Sequence, residues 1–283
     1  MRRLAVIGYP IKHSVSPAMQ QAALDHLGIE AEYVALQVLP EDLGALMLEM
    51  REGEWAGINV TVPHKEAIVP LLDELSDEAA AIGAVNTVVT DGPRLVGHNT
   101  DGIGFLRGLR DDSGFDPHGR IVCLVGAGGA ARAVLRGLCE ARARRVRIVN
   151  RSAERARTLV DLSASWDGWT DVEAEPLPTS LEEWFDCLAD CDLVVNATSV
   201  GLHRSETPLP VAALPDGATV VDLIYNPRPT RLLAEASVHH RTIDGLPMLV
   251  RQGAAAFELW TGMDAPIGVM FAAAEKALME RDR

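Results

Sequence analysis

The chain has 283 residues, enough for two domains of ordinary size, and its 48% hydrophobic and 23% charged composition is that of a folded globular protein. A formal net charge of −14 argues against nucleic acid or an anionic membrane surface as a partner. Cys123, Cys139, Cys187 and Cys191 form no C-x-x-C pair, and no apolar run is long enough to span a bilayer, so neither a disulfide framework, a zinc site nor a membrane span is expected.

Met1-Arg2-Arg3 precedes only four apolar residues, Leu4 to Ile7, before Gly8-Tyr9-Pro10. That run is too short for a signal-peptide core and reads as a strand, so a reducing cytoplasm is the expected location. Ser16 is the predicted N-cap of a helix reaching Leu27, with Pro17 at its first helical position. A strand follows over Tyr33 to Val38, a helix over Glu41 to Arg51, a strand over Gly57 to Val60, and, after Pro63, a helix to Leu72. Thr87 to Val89 and Leu95 to Val96 flank Asp91-Gly92, a hairpin signal. The alternation predicts an α/β domain with a mostly parallel sheet. Gly102 to Arg110 reads as a helix leading into the second half.

There the signal is strongest. Ile121-Val122-Cys123-Leu124-Val125 is a continuous apolar run, as a buried parallel strand requires. It runs into Gly126-Ala127-Gly128-Gly129-Ala130-Ala131 and a predicted helix from Arg132 to Arg142. This G-x-G-x-x-A turn suits a dinucleotide: the glycines allow a tight turn and a close pyrophosphate, and the helix N-terminus faces the phosphates. A second strand, Val146 to Val149, ends at Asn150-Arg151, with Arg155 one turn further. An NAD site places an acid roughly 20 residues past the turn, whereas arginines there suit the 2′-phosphate of NADP. Residues 120–157 hold ten arginines against two glutamates, a balance of 10 − 2 = +8 in an acidic chain. A solvated helix face would read the same way.

Leu193 to Val195 and Thr219 to Asp222 continue this half as strands. From Gly245 onward the pattern turns helical, over Met248 to Trp260 and Pro266 to Met279, with no strand of its own to cover. These helices are expected to pack back on the first domain. The predicted layout is a substrate domain of residues 1–103 completed by 246–283, and a cofactor domain of residues 104–245.

Among the 26 Lys+Arg only Lys12, Lys65 and Lys276 are lysines, so a lysine in this chain suggests a need for a compact amine. Lys65 follows Asn59-Val60-Thr61-Val62-Pro63-His64, just past a strand's carboxyl end, where open α/β sheets bind ligands. Asp101 is a second candidate, although it would equally cap the next helix. Asn86 is a third, and would equally be a turn asparagine. Ser14 and Ser16, at the first helix start, suit a carboxylate. His13, His64 and His98 lack metal-ligand spacing, and no metal is expected.

Taken together, Lys12 to Pro17, Asn59 to Lys65, Gly83 to Thr87, Asn99 to Asp101, Gly126 to Ala131, Asn150 to Ser152 with Arg155, Asn196 to Gly201, Asp222 with Tyr225, and Gly245 with Gln252-Gly253 resemble the shikimate dehydrogenase family nearly end to end. The resemblance implies an α/β fold in which the N-terminal substrate domain, with its mostly parallel sheet, is joined to a Rossmann-like NADP-binding domain. It implies reversible NADPH-dependent reduction of 3-dehydroshikimate to shikimate in aromatic amino acid biosynthesis. By position, Ser14 and Ser16 would bind the substrate carboxylate. Thr61, Lys65, Asn86, Asp101, Tyr225 and Gln252 would meet its hydroxyls and the reacting oxygen, with Lys65 and Asp101 as the catalytic pair. Gly126, Ala127, Gly128, Gly129 and Ala130 would hold the pyrophosphate, and Asn150, Arg151 and Arg155 the 2′-phosphate. Thr198 would touch the cofactor, with Leu223 and Gly245 beside the nicotinamide. One departure is Gln20-Gln21, where many relatives carry His-Asn. The expected partner is the small-molecule substrate alone, with the chain a monomer or homodimer. The competing readings are an NAD-dependent quinate/shikimate dehydrogenase, which an acid at position 150 would favour, and a nucleotide-binding regulator without turnover.

Overall fold

The computed structural model describes residues 2–53, 55–166 and 168–281. The chain forms two compact units, Met1–Gly104 with Val250–Arg283, and Phe105–Leu249.

The first unit contains β1 (Arg2–Gly8), α1 (Ser16–His26), β2 (Ala31–Gln37), α2 (Leu43–Glu52), β3 (Trp55–Val60), α3 (His64–Ala67), β4 (Glu74–Leu75), α4 (Asp77–Ile82), β5 (Thr87–Asp91) and β6 (Arg94–His98). Its sheet has the order β2-β1-β3-β5-β6-β4, and only β5 runs against its neighbours. A boundary between the units falls within α5 (Asp101–Arg107).

The second unit contains β7 (Ile121–Val125), α6 (Gly129–Glu140), β8 (Arg145–Asn150), α7 (Ala153–Ser163), β9 (Asp171–Pro176), α8 (Leu181–Leu188), β10 (Leu193–Asn196), β11 (Thr219–Asp222), α9 (Arg231–Ala236) and β12 (Arg241–Ile243). The other boundary falls within α10 (Leu246–Thr261), which is followed by α11 (Ile267–Arg281). The second sheet is wholly parallel, in the order β12-β11-β10-β7-β8-β9, a Rossmann-like doubly wound arrangement whose strand order reverses between β7 and β10. Leu193 to Asn196 and Thr219 to Asp222 are buried along their whole length, as strands covered on both faces must be.

The mostly parallel first sheet and the Rossmann-like second unit agree with the expected fold class. The late helices find their partners in the first unit. α11 packs along α1. On α10, the Trp260 indole donates to Val88 O at 3.0 Å, lying where a Cβ on Gly57 would come within 2.2 Å of it.

Several local expectations need correction. Ser16 is not an N-cap: Val15 holds that position with helical dihedrals and Ser16 is already the first helical residue. The Ser14 hydroxyl accepts from the Ser16 N–H at 3.3 Å instead. The helix expected after Pro63 as far as Leu72 breaks after Ala67 and resumes as a 3₁₀ turn over Val69–Leu71, because Pro70 has no N–H to continue the ladder. The helix expected over 132–142 starts three residues early and stops at Glu140, and Arg142 adopts a φ of 57°. The short elements β4, α4, β9, α8, α9 and β12 were not anticipated.

Candidate functional site

In the first unit, the carboxyl ends of β3 and β6 and the loop entering β5 bring Lys65, Asn86 and Asp101 together. Lys65 leaves β3 through Thr61 to Pro63, and its carbonyl accepts from the Val85 N–H at 2.8 Å, tying α3 to the loop that carries Asn86. Lys65 Nζ lies 2.5 Å from Asp101 Oδ2, and Asn86 Nδ2 donates to Asp101 Oδ1 at 2.8 Å. The Asp101 side chain is 8% exposed and that of Lys65 23%, so a buried carboxylate anchors a partly exposed lysine. Asp101 does not spend its carboxylate on capping α5. Asn99 does that work, accepting the Asp101 N–H through Oδ1 at 3.1 Å. Gln252, on α10, joins the cluster through Oε1, 3.4 Å from Asn86 Nδ2.

Ser14, Ser16 and Thr61 share this carboxyl edge, at the loop after β1 and the end of β3. Thr61 donates its N–H to Ile7 O at 2.9 Å. The loop bearing Ser14 is pinned by Arg281 of α11, whose guanidinium donates to His13 O and, at 2.9 Å, to Ser14 O. Arg281 carried no signal in the sequence. Gln20 and Gln21 have structural jobs: Gln20 Nε2 donates to Gly253 O at 2.8 Å and Gln21 Oε1 accepts the Tyr33 N–H at 2.9 Å. Burial lowers the His98 pKa below its usual value, against an opposing pull from Glu74.

In the second unit, the glycine turn sits at the switch point between β7 and β10. Gly126 has a φ of 119°, and a Cβ there would press on Ala197 O at 3.0 Å. No side chain caps α6, whose N-cap is Gly128, and a Cβ added to Gly128 or Gly129 would meet open space. Free helix N–H groups beside an open glycine cradle fit a pyrophosphate. Past β8, Asn150 Nδ2 donates to Ser152 O at 2.9 Å, and Ser152 caps α7 by accepting the Arg155 N–H.

Part of the basic island is neutralised by ion pairs. Arg120 pairs with Asp192, Arg136 with Glu140, Arg145 with Asp171, and Arg147 with Glu173 and Asp190. Arg151 and Arg155 are exposed at the end of β8 and the start of α7, and neither side chain shows an ion pair among the described residues. The charge balance thus overstated the basic surface; Arg142, Arg144 and Arg157 are exposed as well, and of the exposed arginines Arg151 and Arg155 lie nearest Asn150 in the chain.

Asp222, wholly buried at the end of β11, accepts from Asn196 Nδ2 at 2.9 Å, Ile224 N at 3.1 Å and Thr230 Oγ1 at 2.7 Å. Burial raises its pKa and these hydrogen bonds oppose the shift. Asn196 Oδ1 in turn accepts from Thr198 N and Oγ1, at 3.0 and 2.7 Å. Leu223 and Tyr225 follow on the loop after β11. Gly245 approaches that loop so closely that a Cβ would fall 2.0 Å from Leu223 O, so only glycine fits. Among the described residues no group of three or more His, Cys, Asp or Glu could hold a metal, and no helix is long and apolar enough to cross a membrane.

A doubly wound parallel sheet with an open glycine turn, and a second sheet presenting an amine–carboxylate pair, define a dinucleotide-binding α/β protein equipped for acid–base chemistry. Residues 6–88 match the family described as the shikimate dehydrogenase substrate binding domain, residues 112–246 the shikimate/quinate 5-dehydrogenase family, and residues 245–275 the shikimate 5′-dehydrogenase C-terminal domain. A shikimate dehydrogenase (NADP⁺) of Geobacter metallireducens is 45% identical over 271 residues, covering 95% of this chain and 94% of the relative. Shikimate 5-dehydrogenase of Thermus thermophilus, solved with NADP(H) and shikimate, is 41% identical with a TM-score of 0.87, covering 98% of this chain and all of that one. Quinate dehydrogenase of Corynebacterium glutamicum, solved with NAD, is 32% identical with a TM-score of 0.86, covering 97% of this chain and 99% of that one. The chain belongs to the shikimate dehydrogenase family.

Proposed function

We propose that this protein catalyses the reversible, NADP-dependent interconversion of 3-dehydroshikimate and shikimate in aromatic amino acid biosynthesis. The observation that carries the chemistry is the 2.5 Å contact between Lys65 Nζ and Asp101 Oδ2, with the carboxylate buried and the lysine side chain partly exposed. Reduction of a ketone needs a hydride on carbon and a proton on oxygen. NADPH supplies the hydride when bound. Lys65 meets the reacting oxygen, stabilises the charge that develops there and delivers the proton. In the reverse direction it takes that proton back from the shikimate hydroxyl. Asp101 orients the amine and the substrate hydroxyl, and Asn86 holds the carboxylate in place. Ser14 and Ser16 bind the substrate carboxylate, while Thr61, Tyr225 and Gln252 meet its hydroxyls.

Gly126 to Ala130 and the free N–H groups of α6 would hold the pyrophosphate. Asn150, Arg151 and Arg155 would hold the 2′-phosphate, with Thr198, Leu223 and Gly245 toward the nicotinamide. On this reading Met1–Gly104 with Val250–Arg283 is the substrate unit and Phe105–Leu249 the cofactor unit. The four cysteines are free, in keeping with a cytoplasmic enzyme. The test is a panel of shikimate and quinate against NADP and NAD, followed by nicotinamide absorbance. Turnover greatest with shikimate and NADP supports the assignment. Preference for quinate with NAD, or no turnover with any pair, contradicts it.

A further inference from the structure

Behind the Lys65–Asp101 pair lies a chain of buried polar side chains. Tyr33, on β2, reaches across β1 to donate its hydroxyl to Asn59 Oδ1 on β3 at 2.7 Å. Asn59 Nδ2 donates to Thr87 Oγ1 at 3.1 Å and to the Asn86 carbonyl at 3.2 Å. Thr87 Oγ1 donates to Asn86 Oδ1 at 3.0 Å, and Asn86 Nδ2 donates to Asp101. Tyr33, Asn59, Asn86 and Thr87 are all buried.

The direction of every bond in this chain is forced by backbone groups that cannot reverse their roles. The Asn86 carbonyl only accepts, so Asn59 must turn its amide nitrogen toward it and its oxygen toward Tyr33. Tyr33 must therefore donate. The Thr100 N–H only donates, and it lies 2.8 Å from Asn86 Oδ1. Asn86 must then turn its nitrogen toward Asp101. Burial pushes the Tyr33 phenol well above its usual pKa, so it remains a donor. Its backbone is held as well, through the N–H given to Gln21 Oε1. An aromatic ring here needs no hydroxyl to fill space against Trp260, whose ring centroid is 6.0 Å away. The hydroxyl serves the acceptor in front of it.

We propose that Tyr33 is a positioning residue for catalysis: through Asn59 and Thr87 it holds in place the Asn86 amide, whose sense the Thr100 N–H sets, and so aims the Asp101 carboxylate at Lys65. The inference rests on the assignment of Lys65 and Asp101 as the catalytic pair. A chain of hydrogen bonds that all point one way polarises along its length and resists rotation of any single member. Removing its first donor leaves Asn59 Oδ1 buried without a partner, and the amide, still barred from flipping by the Asn86 carbonyl, shifts against Thr87. The error then passes to Asn86.

The test is Tyr33→Phe in the purified full-length protein, assayed with shikimate and NADP, beside Thr87→Val, Thr87→Ser and Lys65→Met. Misaim at the reacting pair should lower kcat in Tyr33→Phe by about 10-fold, with both KM values little changed. Thr87→Val should show the same split, Thr87→Ser should restore kcat, and Tyr33→Phe with Thr87→Val should be no slower than Thr87→Val alone. A Tyr33→Phe protein with wild-type kcat, whatever its melting temperature, overturns the proposal. So does a Thr87→Ser protein as slow as Thr87→Val, and these two variants decide the matter if Tyr33→Phe does not fold. Full activity in Lys65→Met would instead overturn the catalytic assignment. An inactive Lys65→Met beside a fully active Tyr33→Phe refutes this inference alone.

Discussion

Asp101 and Asp222 are both buried carboxylates at the carboxyl edge of a sheet, and they are equipped in opposite ways. Asp101 faces an amine and one amide. Asp222 faces only neutral donors, from a side-chain amide, a backbone N–H and a hydroxyl. The donors to Asp222 come from three segments, so that carboxylate ties the loops after β10 and β11 to the start of α9. Without a cation its burial is only partly offset, and its pKa is raised. Asp101 instead holds a lysine whose side chain is partly exposed. The two buried carboxylates thus differ in their partners: a partly exposed amine at Asp101, neutral donors only at Asp222.

Lys65→Met tests this contrast most severely, because it leaves Asp101 with a neutral partner only, as at Asp222. If the amine stabilises the transition state, kcat should fall by about 100-fold or more with a smaller change in the shikimate KM. A wild-type kcat would place the chemistry elsewhere. On the cofactor side, Arg151→Ala should raise the KM for NADP about 10- to 150-fold, the loss of one charge-assisted contact worth about 1.5–3 kcal/mol, and leave that for shikimate nearly unchanged. An unchanged NADP KM would remove Arg151 from the 2′-phosphate site.

Gly245→Ala should destabilise the protein by about 1–3 kcal/mol in thermal melts, since its methyl would fall on Leu223 O. A melting temperature equal to wild type would show that the loop yields freely.

Asp222→Asn should have the smallest effect, read as pH dependence. The folded pKa of Asp222 lies above the usual 3.8, so between those values the folded state binds a proton that the unfolded state does not. Its contribution to stability therefore grows as pH falls through that window. Asp73 and Asp190 act oppositely: Arg51 and Arg147 hold them below the usual value, and their contribution is lost as pH falls. The difference between wild type and Asp222→Asn isolates the Asp222 share. A difference that does not vary over acidic pH would contradict the raised pKa.

Local patterns were the most legible. The apolar run into Gly126-Ala127-Gly128 announced β7 and α6, because strand, turn and helix follow one another in the chain. The Asp91-Gly92 hairpin and the late helices were equally local. Ser16 misled because Ser-Pro usually opens a helix, yet here the chain is already helical at Val15 and the hydroxyl that accepts belongs to Ser14. The arginine island misled because all its carboxylate partners but Glu140, namely Asp171, Glu173, Asp190 and Asp192, lie outside residues 120–157 and join it only through folding. The pairing of Lys65 with Asp101 could be anticipated from motifs, but the Tyr33–Asn59–Thr87 chain behind it could not. Those residues meet across three strands with separations of up to 28 positions, beyond any periodicity.

The central claim is that Lys65 and Asp101 act as one unit, and a double-mutant cycle on kcat tests it most directly. Lys65→Met, Asp101→Asn and the combined variant would be assayed with shikimate and NADP at saturation. If the two side chains serve one reacting oxygen, the combined variant should be about as slow as the slower single variant, a coupling well beyond the ~0.5 kcal/mol scatter of independent sites. If the two losses multiply, Lys65 and Asp101 contribute separately and the account is wrong.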